Sequence, residues 1–136
     1  MISIRAIDHV VFRVRDLAAA KAFYIDVLGA SVDRVRDEIG LHQLRIGDAL
    51  IDLVPIDGAL GRQGGGEPDH ARPNVDHVCF RVTPWDEAAI RSHLARHGIA
   101  PIEIVSRYGA EGYGPSIYLQ DPEGNRIELK GPPSGT

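Results

Sequence analysis

Alternating apolar and polar residues mark short strands in two similar halves of the chain. The segment DHVVFRV (residues 8–14) recurs as DHVCFRV (residues 76–82), with six of seven positions identical and an offset of 68 residues. A shorter match pairs LIDL (residues 50–53) with RIEL (residues 126–129). Because the matched segments occur in the same order in both halves, the pattern indicates an internal duplication.

Each half also contains one helical pattern that ends at a glycine. The first is predicted to begin at an N-cap, Asp16, and to end at Gly29; the second has Thr83 as N-cap, Pro84 at the first helical position and Gly98 at its end. The strands are predicted at about residues 3–14, 31–37, 41–47 and 49–55 in the first half, and at about 75–82, 102–107, 115–120 and 125–130 in the second.

These elements predict an α+β fold in which each half is a βαβββ module. We expect one domain over residues 1–136, with module one at about 4–56 and module two at about 75–130. The residues between them, about 57–74, are rich in glycine and proline, which favours a flexible surface linker.

Each half places one imidazole and one carboxylate on the sheet face that its helix leaves uncovered. Residues two apart on a strand share a face, so the pairs are His9 with Asp52 and His77 with Glu128. Two histidines and two carboxylates suit a divalent transition ion such as Zn, Ni, Co, Mn or Fe. Asp is shorter than Glu, so Asp52 either binds the ion directly or reaches it through water, and both interpretations stay open. The alternative is that each histidine is a hydrogen-bonded structural residue.

Several further residues have open interpretations. Cys79 shares the face of His77 and is expected to be a small buried filler, with a thiol in the cleft as the alternative. His42 and Gln43 lie on a middle strand, from which either could approach the site. The segment 108–114, with its glycines and tyrosines, indicates either a mobile lid or a wide connection.

Composition narrows the class of protein. The 136 residues are 43% hydrophobic and 25% charged, which is typical of a globular domain. The net charge of −4 lacks the excess of basic residues that is expected of a protein that binds nucleic acid. One cysteine cannot form an internal disulfide, so we expect a reducing compartment. Charged residues interrupt the first apolar stretch, and no stretch approaches a membrane span. We therefore expect a cytoplasmic protein that binds neither nucleic acid nor membrane.

The repeated motifs resemble those of the vicinal-oxygen-chelate superfamily, which includes glyoxalase I, fosfomycin-resistance thiol transferases, extradiol dioxygenases and bleomycin-resistance proteins. The resemblance covers about residues 4–130 and rests on IDHVVFRVRDLAAAKAFYIDVLG, VDHVCFRV and SIYLQDPEGNRIELK. It implies paired βαβββ modules that form a cupped mixed-sheet cavity holding a metal, commonly completed by a homodimer. It also implies that His9, His77 and Glu128 are metal ligands, and that Asp52 falls where glyoxalase I has a glutamate ligand.

Three further residues are candidates for binding substrate. Arg13 resembles a glyoxalase I arginine that contacts the glutathione carboxylate, although Ile56 stands where that comparison expects asparagine. Tyr118 lies ten residues before Glu128, a spacing found in extradiol dioxygenases and across the superfamily. Arg81 shares the face of a predicted ligand and could bind an anionic substrate.

The resemblance implies a metal-dependent enzyme acting on a small substrate with neighbouring oxygens. Isomerase or lyase chemistry through a metal-stabilised enediolate is the first expectation, with Glu128 or Asp52 as general base. The alternatives are an extradiol-type dioxygenase, a thiol transferase, or a metal-free ligand-binding or resistance protein. Because each sheet leaves an edge that another module must cover, we expect a homodimer.

Overall fold

The chain forms two compact units, each with one four-stranded mixed sheet. The structure is a computed structural model, and it describes residues 1–134. The first unit is Met1–Asp69, and the second begins at His70. Each sheet belongs to one unit and has one helical segment between its first and second strands. The predicted α+β class with two βαβββ modules is confirmed.

The first unit has its first and last strands side by side. Its sheet has the order β1-β4-β3-β2, in which β1 runs parallel to β4 and the other pairs are antiparallel. The strands are β1 (His9–Val14), β2 (Ser31–Arg36), β3 (Leu41–Ile46) and β4 (Ala49–Pro55). Helix α1 (Leu17–Ala22) continues into a π-helical turn, Phe23–Val27, before the chain turns at Gly29.

The second unit repeats this topology. Its sheet has the order β5-β8-β7-β6, with β5 parallel to β8 and the other pairs antiparallel. Its elements are β5 (Val78–Arg81), α2 (Glu87–Arg96), β6 (Glu103–Gly109), β7 (Gly112–Gln120) and β8 (Arg126–Lys130). In both units, therefore, the first strand, which begins at or directly after the repeated histidine, lies beside the last strand, which carries the carboxylate.

An aspartate caps each helix. The Asp16 carboxylate accepts a hydrogen bond of 3.0 Å from the amide of Ala19, as an N-cap should. Asp86 does the same for the amide of Ala89, also at 3.0 Å. The prediction that Thr83 is the N-cap of α2 was therefore wrong: the helix begins at Glu87, where a carboxylate is in place to satisfy a free amide.

Strand β1 begins later than its sequence pattern predicts. The expected strand started near residue 3, but the ladder begins at His9, opposite Leu50 of β4. Since β4 itself begins at Ala49, the residues before His9 have no neighbouring strand in this unit to continue the ladder. Ile2, Ile4 and Ile7 are consequently exposed.

The first part of the predicted linker and the segment 108–114 both have defined contacts. The Arg13 guanidinium donates hydrogen bonds to the carbonyls of Gly61 and Gly65, which fixes the first part of the linker against β1. Gly61–Gly64 form a short 3-10 turn. Residues 108–114 close the β6–β7 hairpin, where Tyr108 pairs with Tyr113, so this segment is a tight hairpin end rather than a wide connection.

The core of each unit lies between its sheet and its helical segment. In the first unit, Leu44, Leu53 and Tyr24 are fully buried, and the Tyr24 ring stacks on that of Phe12 with centroids 6.0 Å apart. In the second unit, the fully buried residues include Leu94, Ile117 and Ile127. The opposite face of each sheet is thereby left to the polar residues of the candidate site. No helix within residues 1–134 has the length and apolar character needed to cross a membrane.

Candidate metal centre

Strand register brings the second predicted pair together. Cys79 of β5 is the partner of Glu128 on β8, and Glu128 is in turn the partner of Tyr118 on β7. Paired residues project from the same face of a sheet, and His77 shares that face because it lies two residues before Cys79. Nε2 of His77 is 3.0 Å from Oε1 of Glu128.

Each histidine of the repeat is held by the aspartate before it. Nδ1 of His77 lies 2.7 Å from Oδ2 of Asp76, and Nδ1 of His9 lies 2.6 Å from Oδ1 of Asp8. A carboxylate that binds one ring nitrogen fixes the orientation of the imidazole, so that Nε2 is the nitrogen that can bind a metal. This is the usual arrangement around metal-binding histidines. The hydrogen bond also lowers the pKa of Asp76, because it favours the carboxylate form.

Glu128 is buried rather than exposed on its face of the sheet. Only 5% of the residue is accessible, because β7 and β5 cover it on both sides. Burial alone raises the pKa of Glu128, but hydrogen bonds from Ser116 and Tyr118, with the charge of His77, outweigh it and lower the pKa. The carboxyl group therefore stays ionised at neutral pH despite its burial.

A cavity of about 440 Å³ opens beside this pair within the second unit. It is lined by His77, Cys79, Arg81, Tyr108, Gly109, Ala110, Glu128 and Lys130. Cys79 is exposed, so the expectation of a buried filler was wrong. Although this residue is exposed overall, desolvation of its sulphur and the nearby Glu128 carboxylate raise the pKa of the thiol to about 12. The thiol therefore remains protonated near neutral pH.

The first unit holds the equivalent pair on its own sheet. Asp52 is the partner of Val11 on β1 and of Gln43 on β3, which places it on the same face as His9. The Gln43 amide donates to both Asp52 oxygens, at 3.3 and 3.2 Å, and only 3% of Asp52 is accessible. The hydrogen bond to Asp8, with a smaller contribution from the Asp52 charge, raises the pKa of His9.

Of the two middle-strand candidates, only Gln43 lies on the face of the site. His42 pairs with Leu53 and projects toward the core, where 7% of it is accessible. Its Nε2 is 3.5 Å from Oδ1 of Asp37, and its Nδ1 is buried without a hydrogen-bond partner in the described chain. Burial, helped by the charge of Lys21, lowers the pKa of His42.

The three predicted substrate-binding residues have different surroundings. The Arg13 guanidinium donates its hydrogen bonds to backbone carbonyls of the linker. Nε of Arg81 is 2.6 Å from Oε1 of Glu111, although Arg81 still lines the cavity. The Tyr118 ring is 5.6 Å from that of His77, and the Arg126 guanidinium lies 4.5 Å above the Tyr118 ring centroid.

Sequence reasoning missed the residues that support the predicted ligands. Asp8 and Asp76 stand at the first position of the repeated DHV motif, so their duplication was a usable signal. Ser116 and Gln43 carried no such signal, because their contacts depend on which strand lies beside which. Among residues 1–134, no three His, Cys, Asp or Glu side chains are grouped in a way that could hold an ion.

Comparison with known proteins defines the class to which this fold and these motifs belong. The model of the Glyoxalase/Bleomycin resistance protein/Dioxygenase superfamily matches residues 6–129, and the chain belongs to that family. It is 34% identical over 129 residues to the glyoxalase domain-containing protein RDO1 of Mycosarcoma maydis, with 94% of this chain and 69% of that protein covered.

Two other relatives extend this comparison. The virulence protein STM3117 of Salmonella typhimurium is 33% identical over 126 residues, which cover 90% of this chain and 81% of that protein. Its crystal structure matches with a TM-score of 0.76 and 30% identity, over 97% of this chain and all of the other. The mitochondrial methylmalonyl-CoA epimerase of Mus musculus is 28% identical over 137 residues, which cover 91% of this chain and 71% of that enzyme.

Proposed function

We propose that this protein is a metal-dependent enzyme of the glyoxalase type, which acts by isomerase or lyase chemistry on a small substrate with neighbouring oxygens. The observation that carries the proposal is the His77–Glu128 pair, whose Nε2 and Oε1 atoms are 3.0 Å apart at the wall of a cavity. The first unit likewise has an imidazole and a carboxylate on one face of its sheet, with His9 and Asp52.

The donor set fits a divalent transition ion. Each unit offers one imidazole nitrogen and one carboxylate, and Asp8 or Asp76 orients the imidazole so that Nε2 is the donor. Nitrogen and oxygen donors together suit Zn, Ni, Co, Mn or Fe.

The proposed chemistry depends on the carboxylates of Glu128 and Asp52. A bound ion would supply Lewis-acid stabilisation to negative charge that develops on a substrate oxygen. Glu128 accepts the proton from the carbon beside that oxygen and returns it to the substrate to complete an isomerisation, because its hydrogen bonds keep it ionised at neutral pH. Asp52, held by Gln43, is the matching carboxylate of the first unit. The name of the related epimerase, which implies inversion at a carbon centre, supports proton transfer of this kind.

Metal analysis tests the proposal. Purified protein is reconstituted separately with Zn, Ni, Co, Mn and Fe, and bound metal is measured after removal of the excess. We expect about one equivalent of at least one ion per chain. Less than about a tenth of an equivalent with every ion would contradict the proposal and favour a metal-free ligand-binding protein.

A matched pair of variants shows whether the bound ion occupies this site. His77→Ala removes a proposed ligand, whereas His97→Ala removes a histidine from the exposed end of α2. Loss of metal in the first variant and retention in the second is the expected result. Equal retention in both variants would place the ion elsewhere. Consumption of O₂ with a catechol, only in the Fe form, would identify a ring-cleaving dioxygenase instead.

A further inference from the structure

We propose that Lys130 recognises an anionic group of the substrate, so that the substrate of this site is a small molecule carrying a compact oxyanion, either a carboxylate or a phosphoryl group. The inference rests on the proposed function, because it assigns a substrate class to the same cavity. Lys130 lines this cavity together with His77 and Glu128.

Lys130 is a buried cation with an incomplete set of partners. Only 9% of the residue is accessible. Its ammonium group donates to the carbonyls of Arg107 and Gly114. An ammonium has three N–H donors, so one donor is left without a protein acceptor among residues 1–134. Both acceptors are neutral carbonyl oxygens, so neither is a counter-ion for the positive charge.

The other charged residues around the cavity already have partners. Arg81 is paired with Glu111, and Glu128 is bound by His77 and Ser116. Lys130 makes no ion pair within the described residues, although Glu128 lines the same cavity. A buried charge without a partner of opposite sign is costly, and an anionic ligand would offset that cost. The cavity therefore favours a ligand that brings its own negative charge.

The local backbone is shaped to hold this side chain. A Cβ atom added to Gly109 would lie 2.7 Å from Cε of Lys130 and 3.1 Å from its Cδ, so the lysine stem lies directly against the Gly109 backbone. Gly109 and Gly114 lie on the two strands of the hairpin at the rim of the cavity. Long lysine side chains usually extend to water, but this one is enclosed by the hairpin instead. Its place is therefore a built feature of the site.

The cavity limits the size of the ligand. A volume of about 440 Å³ is at the lower end of the range found for small-molecule sites. A ligand of this size can contact Lys130 with one group and the His77–Glu128 pair with another. The geometry therefore favours a compact molecule in which the oxyanion lies close to the reacting oxygens.

Paired ligands of similar size and different charge test the inference. Glycolate and glycolamide share a hydroxyl and a neighbouring carbonyl oxygen, but glycolamide has a neutral amide nitrogen in place of the second carboxylate oxygen, so only glycolate is anionic. Binding of each is measured by calorimetry with metal-free and metal-loaded protein. A charge-assisted hydrogen bond predicts a preference for glycolate of about tenfold or more. Inorganic phosphate, titrated in parallel, shows whether the preferred oxyanion is a phosphoryl group.

Two substitutions separate Lys130 from the general charge of the protein. Lys130→Met should reduce glycolate affinity by about tenfold or more while leaving glycolamide affinity unchanged. Lys21→Met is the matched control, because Lys21, on α1, is the only other lysine of the chain. Retention of the glycolate preference in Lys130→Met, or its absence in the wild-type protein, would overturn the inference.

A measurement on the unaltered cavity keeps the test valid if Lys130→Met fails to fold. Protein labelled with ¹⁵N-lysine has two side-chain ammonium nitrogens, and Lys21→Arg leaves only that of Lys130. Glycolate or phosphate should shift the Lys130 signal, and an unchanged signal at saturation would contradict the inference.

The outcomes also distinguish this inference from the proposed function. A Lys130-dependent preference in a protein that binds no metal would overturn the proposed enzyme function alone. Metal binding without any preference for the anion would overturn only the role of Lys130.

Discussion

The Ser116 hydroxyl donates a hydrogen bond of 2.7 Å to Oε2 of Glu128, and both residues are buried. The other carboxylate oxygen, Oε1, faces Nε2 of His77. The two oxygens of one carboxylate thus have separate partners: one is anchored to the neighbouring strand, and the other is directed toward the proposed metal centre.

Ser116→Ala should weaken metal binding without removing a ligand. The change deletes a hydrogen bond that favours the charged form of Glu128, so the pKa of this carboxyl group should rise. We expect metal affinity to fall by about tenfold or more, as is typical when the support of a ligand is lost. Metal titration calorimetry measures the effect, with the exposed Ser106→Ala as control. Equal affinities in the two variants would contradict the anchoring role.

Removal of the ligands themselves should have a larger effect. His9→Ala, His77→Ala and Glu128→Ala should each reduce metal affinity by more than the roughly 10–100-fold typical of supporting residues. Asp52→Ala should cost less if this shorter side chain acts through water. The same titrations give the ranking, and wild-type affinity in His77→Ala would show that the ion is bound elsewhere.

Truncation of core side chains should lower the free energy of unfolding without changing metal affinity. Leu53 is fully buried, so Leu53→Ala should lower the free energy of unfolding by about 2–5 kcal/mol. Phe12 retains partial exposure even though its ring stacks on Tyr24, so Phe12→Ala should cost less than the roughly 3–5 kcal/mol of a fully enclosed phenylalanine. Urea denaturation of the metal-free proteins compares the two. An equal or larger cost for Phe12→Ala would mean that its ring is enclosed in solution.

Stability should decrease as the pH falls below the ordinary pKa of histidine, and His42 should contribute to this. Burial lowers the pKa of His42 in the fold, so the unfolded chain takes up a proton first as the pH drops below about 6.5. The free energy of unfolding then falls until the folded pKa is passed, and the contribution of His42 is fully present only above pH 6.5. His42→Gln should flatten this part of the profile, measured by denaturation between pH 5 and 8. The measured quantity is the slope of the free energy of unfolding against pH. If the variant has the same slope as the wild-type protein, groups other than His42 cause the decrease in stability.

The protein should be a dimer in solution. Ile2, Ile4 and Ile7 are 88%, 86% and 75% exposed next to the edge strand β1, and a group of apolar side chains in this position is typical of an interface. Light scattering should give roughly 30 kDa, twice the 14.8 kDa of one chain. Ile4→Ser should weaken the association. A mass of about 15 kDa for the wild-type protein at micromolar concentration would exclude the dimer.

Features that can be read from sequence patterns were predicted better than features that depend on long-range contacts. The repeat was enough to predict two modules, and the alternation along each strand was enough to predict the faces of His77 and Glu128, because that alternation is a property of neighbouring residues. The burial of Glu128 was missed, since it depends on the strands that flank β8. Lys130 was missed for the same reason: only the hairpin that closes at Gly109 makes this lysine different from a surface one.

The parallel pairing of the first and last strands has a consequence for how each unit forms. The segment 76–79 and the strand that carries Glu128 are about 50 residues apart in sequence, yet they meet only when β8 has inserted beside β5. A chain that has made its helix and its hairpin but not this last pairing has neither the His77–Glu128 contact nor the cavity beside it. Metal uptake would then report on the completion of folding, and a cell's supply of the ion would favour finished molecules over partly folded ones.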